Sequence, residues 1–176
     1  AKPGERTYAT PGSGSGGHFA SEQFNRLAGT RMNHIPYKGA AQAVTDLMGG
    51  QVDSSFATLG SVLPQVQSGK LRALAVASPQ RSPLLPDVPT FEESGVKGYS
   101  ADAWYGLLAP AGTPAEIVAK LTKASADFAR APATAEKLRG LGMQPQPTCG
   151  SAFTAQLDGE IKAATKTARE LDLKLD

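Results

Sequence analysis

The chain has 176 residues, 18 basic against 16 acidic, for a formal net charge of +2, with 40% hydrophobic and 19% charged residues. That apolar share supports a packed core and excludes a disordered chain, and so mild a charge without a basic run leaves no footprint for nucleic acid. One cysteine, Cys149, forms no intrachain disulfide, two histidines build no zinc finger, and no run of 18 apolar residues offers a transmembrane helix.

The first half repeats one rhythm. Thr7–Thr10 reads as a strand, Pro11–Gly17 as a glycine–serine turn, and His18–Ala28 as a helix with Phe19, Phe24 and Leu27 inward and Gly29 at its end. Met32–Tyr37 is a second strand, broken at Gly39, and Ala40–Met48 a second helix closed by Gly49 and Gly50. Val52–Phe56 is a third strand, Val62–Val66 a short helix, and Leu71–Ser78 a buried strand. Strands alternating with short helices predict a parallel α/β sheet.

Pro79, Pro83, Pro86 and Pro89 make residues 78–98 an ordered crossing, since proline fixes φ and removes a donor. Phe91–Ser94 reads as one helical turn. Ala103–Ala109 reads as a strand. Thr113 then offers an N-cap, Pro114 a first helical residue and Glu116 a capping-box acid, with Ile117, Val118, Leu121 and Phe128 on one face. Thr134–Leu141 is a further helix, and Ser151–Leu171 the last, striped by Phe153, Leu157, Ile161, Ala164 and Ala168.

After Ser78 one strand remains for three helices, and a helix stripe needs a partner layer. The chain also opens without Met. It therefore reads as a truncated or processed piece, and its second half as part of a lobe whose sheet comes from elsewhere, either missing N-terminal sequence or another chain. Stripes left bare in this way predict self-association.

The strongest local chemistry lies in Gly12-Ser13-Gly14-Ser15-Gly16-Gly17, between a strand and a helix. Glycines let backbone N–H groups face a cavity, the helix N-terminus adds partial positive charge, and the serine hydroxyls donate. This is an anion cradle, or else a plain glycine-rich turn. The same residues match G-x-G-x-x-G through Gly12, Gly14 and Gly17, but no acid closes the second strand as a dinucleotide site needs. Neither Ser13 nor Ser15 fits the nucleophile elbow, whose base would have to be His18 or His34. Lys38 in Tyr37-Lys38-Gly39, and Ala57 and Thr58 in the segment after the third strand, sit at strand ends where α/β ligands bind. Asp102 is either a ligand contact for an amine or hydroxyl or a hinge or cap. Trp104 reads as core. Cys149 has no basic neighbour to activate it and reads as structural.

A series of strings, in order, extends nearly the length of the chain: Thr7–Ser15 (TYATPGSGS), Pro36–Gly39 (PYKG), Asp46–Asp53 (DLMGGQVD) and Gly69–Val76 (GKLRALAV), then Arg81–Pro83 (RSP), Leu85–Thr90 (LPDVPT), Glu93–Gly95 (ESG) and Trp104–Pro114 (WYGLLAPAGTP). Through them the chain resembles the Bug receptors, the solute-binding proteins of tripartite tricarboxylate transporters. The resemblance implies an α/β, periplasmic-binding-protein-like fold of type II, the Venus flytrap. Residues 1–98 correspond to the second lobe and 99–176 to the returning, mostly helical part of the first, whose N-terminal half is missing. It implies a periplasmic receptor, not an enzyme, that needs no cofactor or metal. Such a receptor captures a small carboxylate (a dicarboxylate, acidic amino acid or aromatic acid) and hands it to membrane transporter subunits. By position Gly12, Ser13, Gly14 and Ser15 become the carboxylate grip, Ala57 and Thr58 line the cleft, and Asp102 lies near the second crossing. This sequence departs from the family where Asp-Asn often stands in place of Ala57-Thr58. It departs again at Cys149–Ala152, and at Ala164, where a tryptophan is common. Two other readings stay open: a nucleotide- or phosphate-dependent enzyme built on Gly12, Gly14 and Gly17, and a receptor serving a sensory partner.

Overall fold

The computed structural model of the chain describes residues 4–170. They divide into two compact units, residues 4–103 with 166–170, and Trp104–Thr165.

In the first unit, β1 (Thr7–Thr10), β2 (Asn33–Pro36) and β3 (Ser54–Ser55) form a parallel sheet in the order β2-β1-β3, with Tyr8 opposite both His34 and Ser54. Parallel neighbours need crossovers. Helices α1 (Gly16–Leu27) and α2 (Ala40–Met48) supply them, and α3 (Leu59–Gln67) follows β3. Side chains alternate across β1. On one face Ala9 is wholly buried with Ala43 of α2 and Val52, and Ile35, Tyr37 and Leu47 pack around them. On the other face Tyr8 and Thr10 are also wholly buried, and the Tyr8 hydroxyl donates to Glu22 of α1 at 2.5 Å. One layer is therefore aliphatic and the other polar and aromatic.

Asp53 ties the two strands it stands between. It accepts from Arg6 at 2.6 Å and from the backbone N–H and hydroxyl of Thr7, both at 2.9 Å. The Thr7 N–H first, and Arg6 next, hold its carboxyl down at about 2.

Beyond α3 the expected buried strand Leu71–Ser78 does not form. A strand exists through a partner's hydrogen bonds. Here only Val76 finds one, a bridge to Thr90, while Leu74 is 68% exposed. The proline-rich crossing is ordered, as expected. Arg81 donates to both oxygens of Glu93, at 2.9 and 3.1 Å. Thr90 and Glu93 cap each other reciprocally, Thr90 N–H to the Glu93 carboxylate at 2.7 Å and Glu93 N–H to the Thr90 hydroxyl at 3.1 Å. Phe91 and Tyr99, 4.2 Å apart, then join Phe24 and Phe56 in an aromatic cluster against α1, and the Tyr99 hydroxyl donates to Ala20 O.

The second unit holds α4 (Ala115–Arg130) and α5 (Pro132–Gly140), packed through Ala126 and Ala135, and most of α6 (Gly150–Glu170). The residue Leu171, where the sequence put the end of α6, lies outside the described residues. The expected strand Ala103–Ala109 is absent: no described strand lies beside it, and Tyr105, Leu107 and Leu108 are exposed. Nor does Thr113 cap α4. Its hydroxyl donates to Pro110 O at 2.8 Å, and Pro114, with ψ at 138°, takes the cap position itself. Trp104 packs edge-on against Phe153 and its indole N–H donates to Glu160. Along the stripes, Val118, Leu121, Phe128 and Ile161 are exposed, while Phe153 and Leu157 are half-buried.

Two outcomes are expected. Exposed stripes of this size should drive the 176-residue chain to associate with itself at micromolar concentration; sedimentation velocity reads this directly, and a single monomeric species would refute it. Asp53 contributes stability above the carboxyl's ordinary value of 3.8, and that contribution is lost as pH falls through about 2. Asp53→Asn should therefore be less stable than the parent at neutral pH, with the gap in urea midpoint narrowing between pH 4 and 2.

Candidate functional site

All three strands run the same way, so their carboxyl ends share one edge of the sheet, the edge where α/β proteins bind ligands. Three loops leave it, and each starts a helix: residues 11–15 before α1, 37–39 before α2, and 56–58 before α3. Short contacts hold them side by side. Tyr37 N–H donates to Thr10 O and Gly39 N–H to Pro11 O, both at 3.0 Å. A Cβ on Gly17 would stand 2.6 Å from Phe56 O, so α1 touches the end of β3 backbone to backbone. The edge thus gathers three helix N-termini, each with partial positive charge.

The glycine–serine loop divides its donors into two sets. Gly12 N–H donates to the Thr10 hydroxyl at 3.3 Å, Gly14 N–H to His18 Nδ1 at 3.1 Å, and Ser15 N–H to Gly12 O at 3.2 Å. Gly14 also sits at φ 73°, where a side chain is strained. Gly12 and Gly14 shape the turn and spend their amides inside the chain. The N–H groups of Ser13, Gly16 and Gly17, and the exposed Ser13 hydroxyl, have no partner among the described residues. Ser15 caps α1 by accepting His18 N–H at 3.3 Å and keeps its own hydroxyl proton to give. That cap starts the helix at Gly16, two residues before the sequence reading put it. Lys38 stands exposed at the same edge and forms no ion pair among the described residues.

Beneath the loop lies a stack of rings that the sequence reading did not assign to the site. His34 stacks between Tyr8 at 5.0 Å and His18 at 4.0 Å. The Thr10 hydroxyl lies 3.1 Å from Gly12 O and 2.6 Å from His34 Nε2. The hydroxyl has one proton, so its direction and the His34 tautomer are set together. Burial lowers the pKa of both histidines. His18 lowers His34 further, while the Glu22 charge opposes the shift in each. Burial, and then Glu22, raise the Tyr8 phenol. Nothing in single-sequence patterning marks His18 and His34 as neighbours; the parallel register of β1 and β2 and the Ser15 cap put them together.

Ala57 and Thr58, both exposed, stand at this edge as expected. The Thr58 hydroxyl donates to Ser61 at 3.3 Å, while the Leu59 and Gly60 amides of α3 have no partner among the described residues. Asp102 makes no hydrogen bond or ion pair to these loops among the described residues. It lies largely at the surface, yet partial desolvation on one side raises its carboxyl. His18 Nδ1 accepts from Gly14 N–H and Ser15 Oγ accepts from the His18 backbone N–H, so the two side chains are not hydrogen-bonded to each other. At the end of β2 the Tyr37 hydroxyl donates to Asp46 at 2.8 Å, and no acid stands free there for a ribose. No metal-ligating cluster occurs among the described residues. An open hollow lined by Asn25, Arg26, Arg31, Asn33 and His34 lies toward the opposite end of β2, away from the free donors.

Residues 1–167 match the family described as tripartite tricarboxylate transporter family receptor, TctC. Protein BugT of Bordetella pertussis is 34% identical over 175 residues, which is 99% of this chain and 54% of that protein. The chain spans about half the length of the curated relatives it matches. Among solved structures it is similar to R. palustris Rpa4515 with adipate (TM-score 0.88, 32% identity, 98% of this chain and 57% of that one). It is similar also to the periplasmic binding protein BugD (0.81, 30%, 98% and 58%) and to MatC from Rhodopseudomonas palustris with bound malate (0.82, 29%, 93% and 57%). The α/β fold is that of periplasmic binding proteins.

The backbone contact at Gly17 generates a prediction. Gly17→Ala gains helix propensity of about 1 kcal/mol, but its methyl meets a carbonyl oxygen that no rotamer change can move. A net loss of about 1–3 kcal/mol is expected, read from the urea midpoint. Gly16→Ala, where a Cβ meets nothing within 4 Å, should cost no stability.

Proposed function

The chain belongs to the tripartite tricarboxylate transporter receptor family, and from that membership we propose that its glycine–serine loop grips the carboxylate of a small solute in a periplasmic binding receptor. The observation that carries this reading is the set of unpartnered donors at one sheet edge: the Ser13, Gly16 and Gly17 amides and the two serine hydroxyls, with Lys38 alongside. Such a set stabilises a negative charge through fixed dipoles and charge-assisted hydrogen bonds. The family is one of receptors rather than enzymes.

The ligand is a small carboxylate, with dicarboxylates favoured because adipate and malate occupy two similar proteins. Residues 1–98 act as the second lobe and 99–176 as the return into the first. Gly12 and Gly14 hold the loop, Ser13 and Ser15 donate, Ala57 and Thr58 line the cleft, and Asp102 stands near the second crossing. The whole receptor passes its ligand to membrane transporter subunits, and no described helix is itself long and apolar enough to cross a membrane. Calorimetry of the folded full-length receptor against mono- and dicarboxylates, adipate and malate among them, is the direct test; a panel without a single binder would sink the reading.

The serines supply the sharper prediction. A hydroxyl bond to a charged carboxylate contributes about 1.5–3 kcal/mol, so Ser13→Ala with Ser15→Ala should weaken binding on the order of 100-fold or more. Because Ser15 also caps α1, the double variant should lose about 1 kcal/mol of stability as well, which Ser13→Ala alone avoids. Calorimetry beside a thermal melt separates the two effects, and unchanged affinity in the folded double variant would remove these hydroxyls from the site.

A further inference from the structure

The loop that carries the free donors is held from below by two histidines. Gly14 N–H ends on His18 Nδ1 at 3.1 Å, and Gly12 is held through Thr10, whose hydroxyl lies 2.6 Å from His34 Nε2. The two imidazoles stack at 4.0 Å, with an interplanar angle of 16°. An imidazole accepts a hydrogen bond only while that nitrogen is bare, and both nitrogens of the protonated ring are donors. A proton on His18 Nδ1 would therefore turn an N–H···N bond into two N–H groups facing each other. It would also set a cation against the ring of His34.

We propose that His18 is a positioning residue for the glycine–serine loop, and that its protonation releases Gly14 and so disorders the donor set of Ser13, Gly16 and Gly17. This makes the loop a proton-controlled latch, and its effect on ligand affinity rests on the carboxylate-receptor reading above.

The surroundings of the pair set the direction. From α1 the charged group near both rings is Glu22, whose carboxylate is already engaged by the Tyr8 hydroxyl at 2.5 Å and by Asn25 at 3.2 Å. From β1 come Tyr8, a phenol kept neutral, and Thr10; from β2 comes His34 itself. His18 is buried, and that burial lowers its pKa from the ordinary 6.5 more than Glu22 raises it. The folded state therefore favours the neutral, accepting ring. That preference is fully present above the ordinary value, and it is lost as pH falls from there through the lowered value of the folded protein. The latch is closed at neutral pH and opens on the acid side.

Two substitutions separate the acceptor from the proton. His18→Asn places an amide oxygen where Nδ1 stood and cannot titrate, and His18→Phe keeps a ring and removes the acceptor. In the ¹⁵N-labelled 176-residue chain, the His18 ring should carry its hydrogen on Nε2 at pH 7.5. The Gly14 amide resonance should then shift on acidification with the midpoint of His18. In His18→Asn that Gly14 titration should vanish. In His18→Phe the Gly14 resonance at pH 7.5 should already lie toward its acid position. A Gly14 amide that ignores His18 protonation, or that titrates unchanged in His18→Asn, overturns the latch.

The second arm uses malate as the probe, titrated calorimetrically into the full-length receptor at pH 7.5 and 5.5. The parent should lose about 5- to 10-fold more affinity than His18→Asn, the scale of one hydrogen bond. The variant carries malate's own protonation and cancels it. Equal losses in the two proteins, or an affinity that rises in acid, overturn the coupling. A Gly14 resonance that follows His18 while malate binds neither protein supports the latch and removes malate as the solute.

Discussion

The first unit is organised around a place where no side chain fits. At Gly17 the backbone of α1 lies against the carbonyl of Phe56 so closely that a Cβ would stand 2.6 Å from it. This contact lets a helix from the β1 loop begin directly beside the exit of β3. Two helix N-termini then open on the same edge, where their dipoles add for any anion placed between them. It also brings Phe24 of α1 within ring contact of Phe56, and through Phe91 and Tyr99 it fastens the proline-rich crossing to the lobe. The site's electrostatics and the unit's second core thus share one steric origin.

The sheet divides its labour between its faces. Toward α2 it presents Ala9, Ile35 and Val52, an aliphatic layer that stabilises by removing apolar surface from water. Toward α1 it presents Tyr8, Thr10 and His34, and α1 answers with His18, Ser21, Glu22 and Asn25. A buried polar layer is costly unless each group is satisfied. Here the satisfaction is geometric: Ser21 donates to Gly17 O at 2.7 Å, Asn25 and Tyr8 share Glu22, and Thr10 and His18 take the amides of Gly12 and Gly14. The polar layer is therefore the scaffold of the loop above it. A change at the site reads back into the core by hydrogen bonds rather than by packing.

Much of this lobe was legible from residue order. Gly12 to Gly17 between a strand and a helix marked the loop that leads into α1, and glycines at 39 and 49 bounded α2 closely. Two readings failed for one reason. Leu71–Ser78 and Ala103–Ala109 have strand composition, but a strand is completed by its neighbour, and among the described residues the first finds only the single Val76–Thr90 bridge and the second none. Thr113 failed more locally: the same hydroxyl that suits a cap turned back to Pro110 O, because Pro114 kept an extended ψ.

The sequence by itself determined the α/β class, the family, and the loop that carries the donors, because these follow from local periodicity and from glycine and serine in a short, ordered string. It did not determine which amides of that loop are free. That was decided by tertiary structure, where the register of β1 against β2 sets His34 beside Tyr8, and the Ser15 cap turns His18 onto the same stack. Residues 16 positions apart in the chain become ring neighbours only once the sheet exists. An amide is spent or spared by what folds beneath it, and spacing along one strand carries no record of the next.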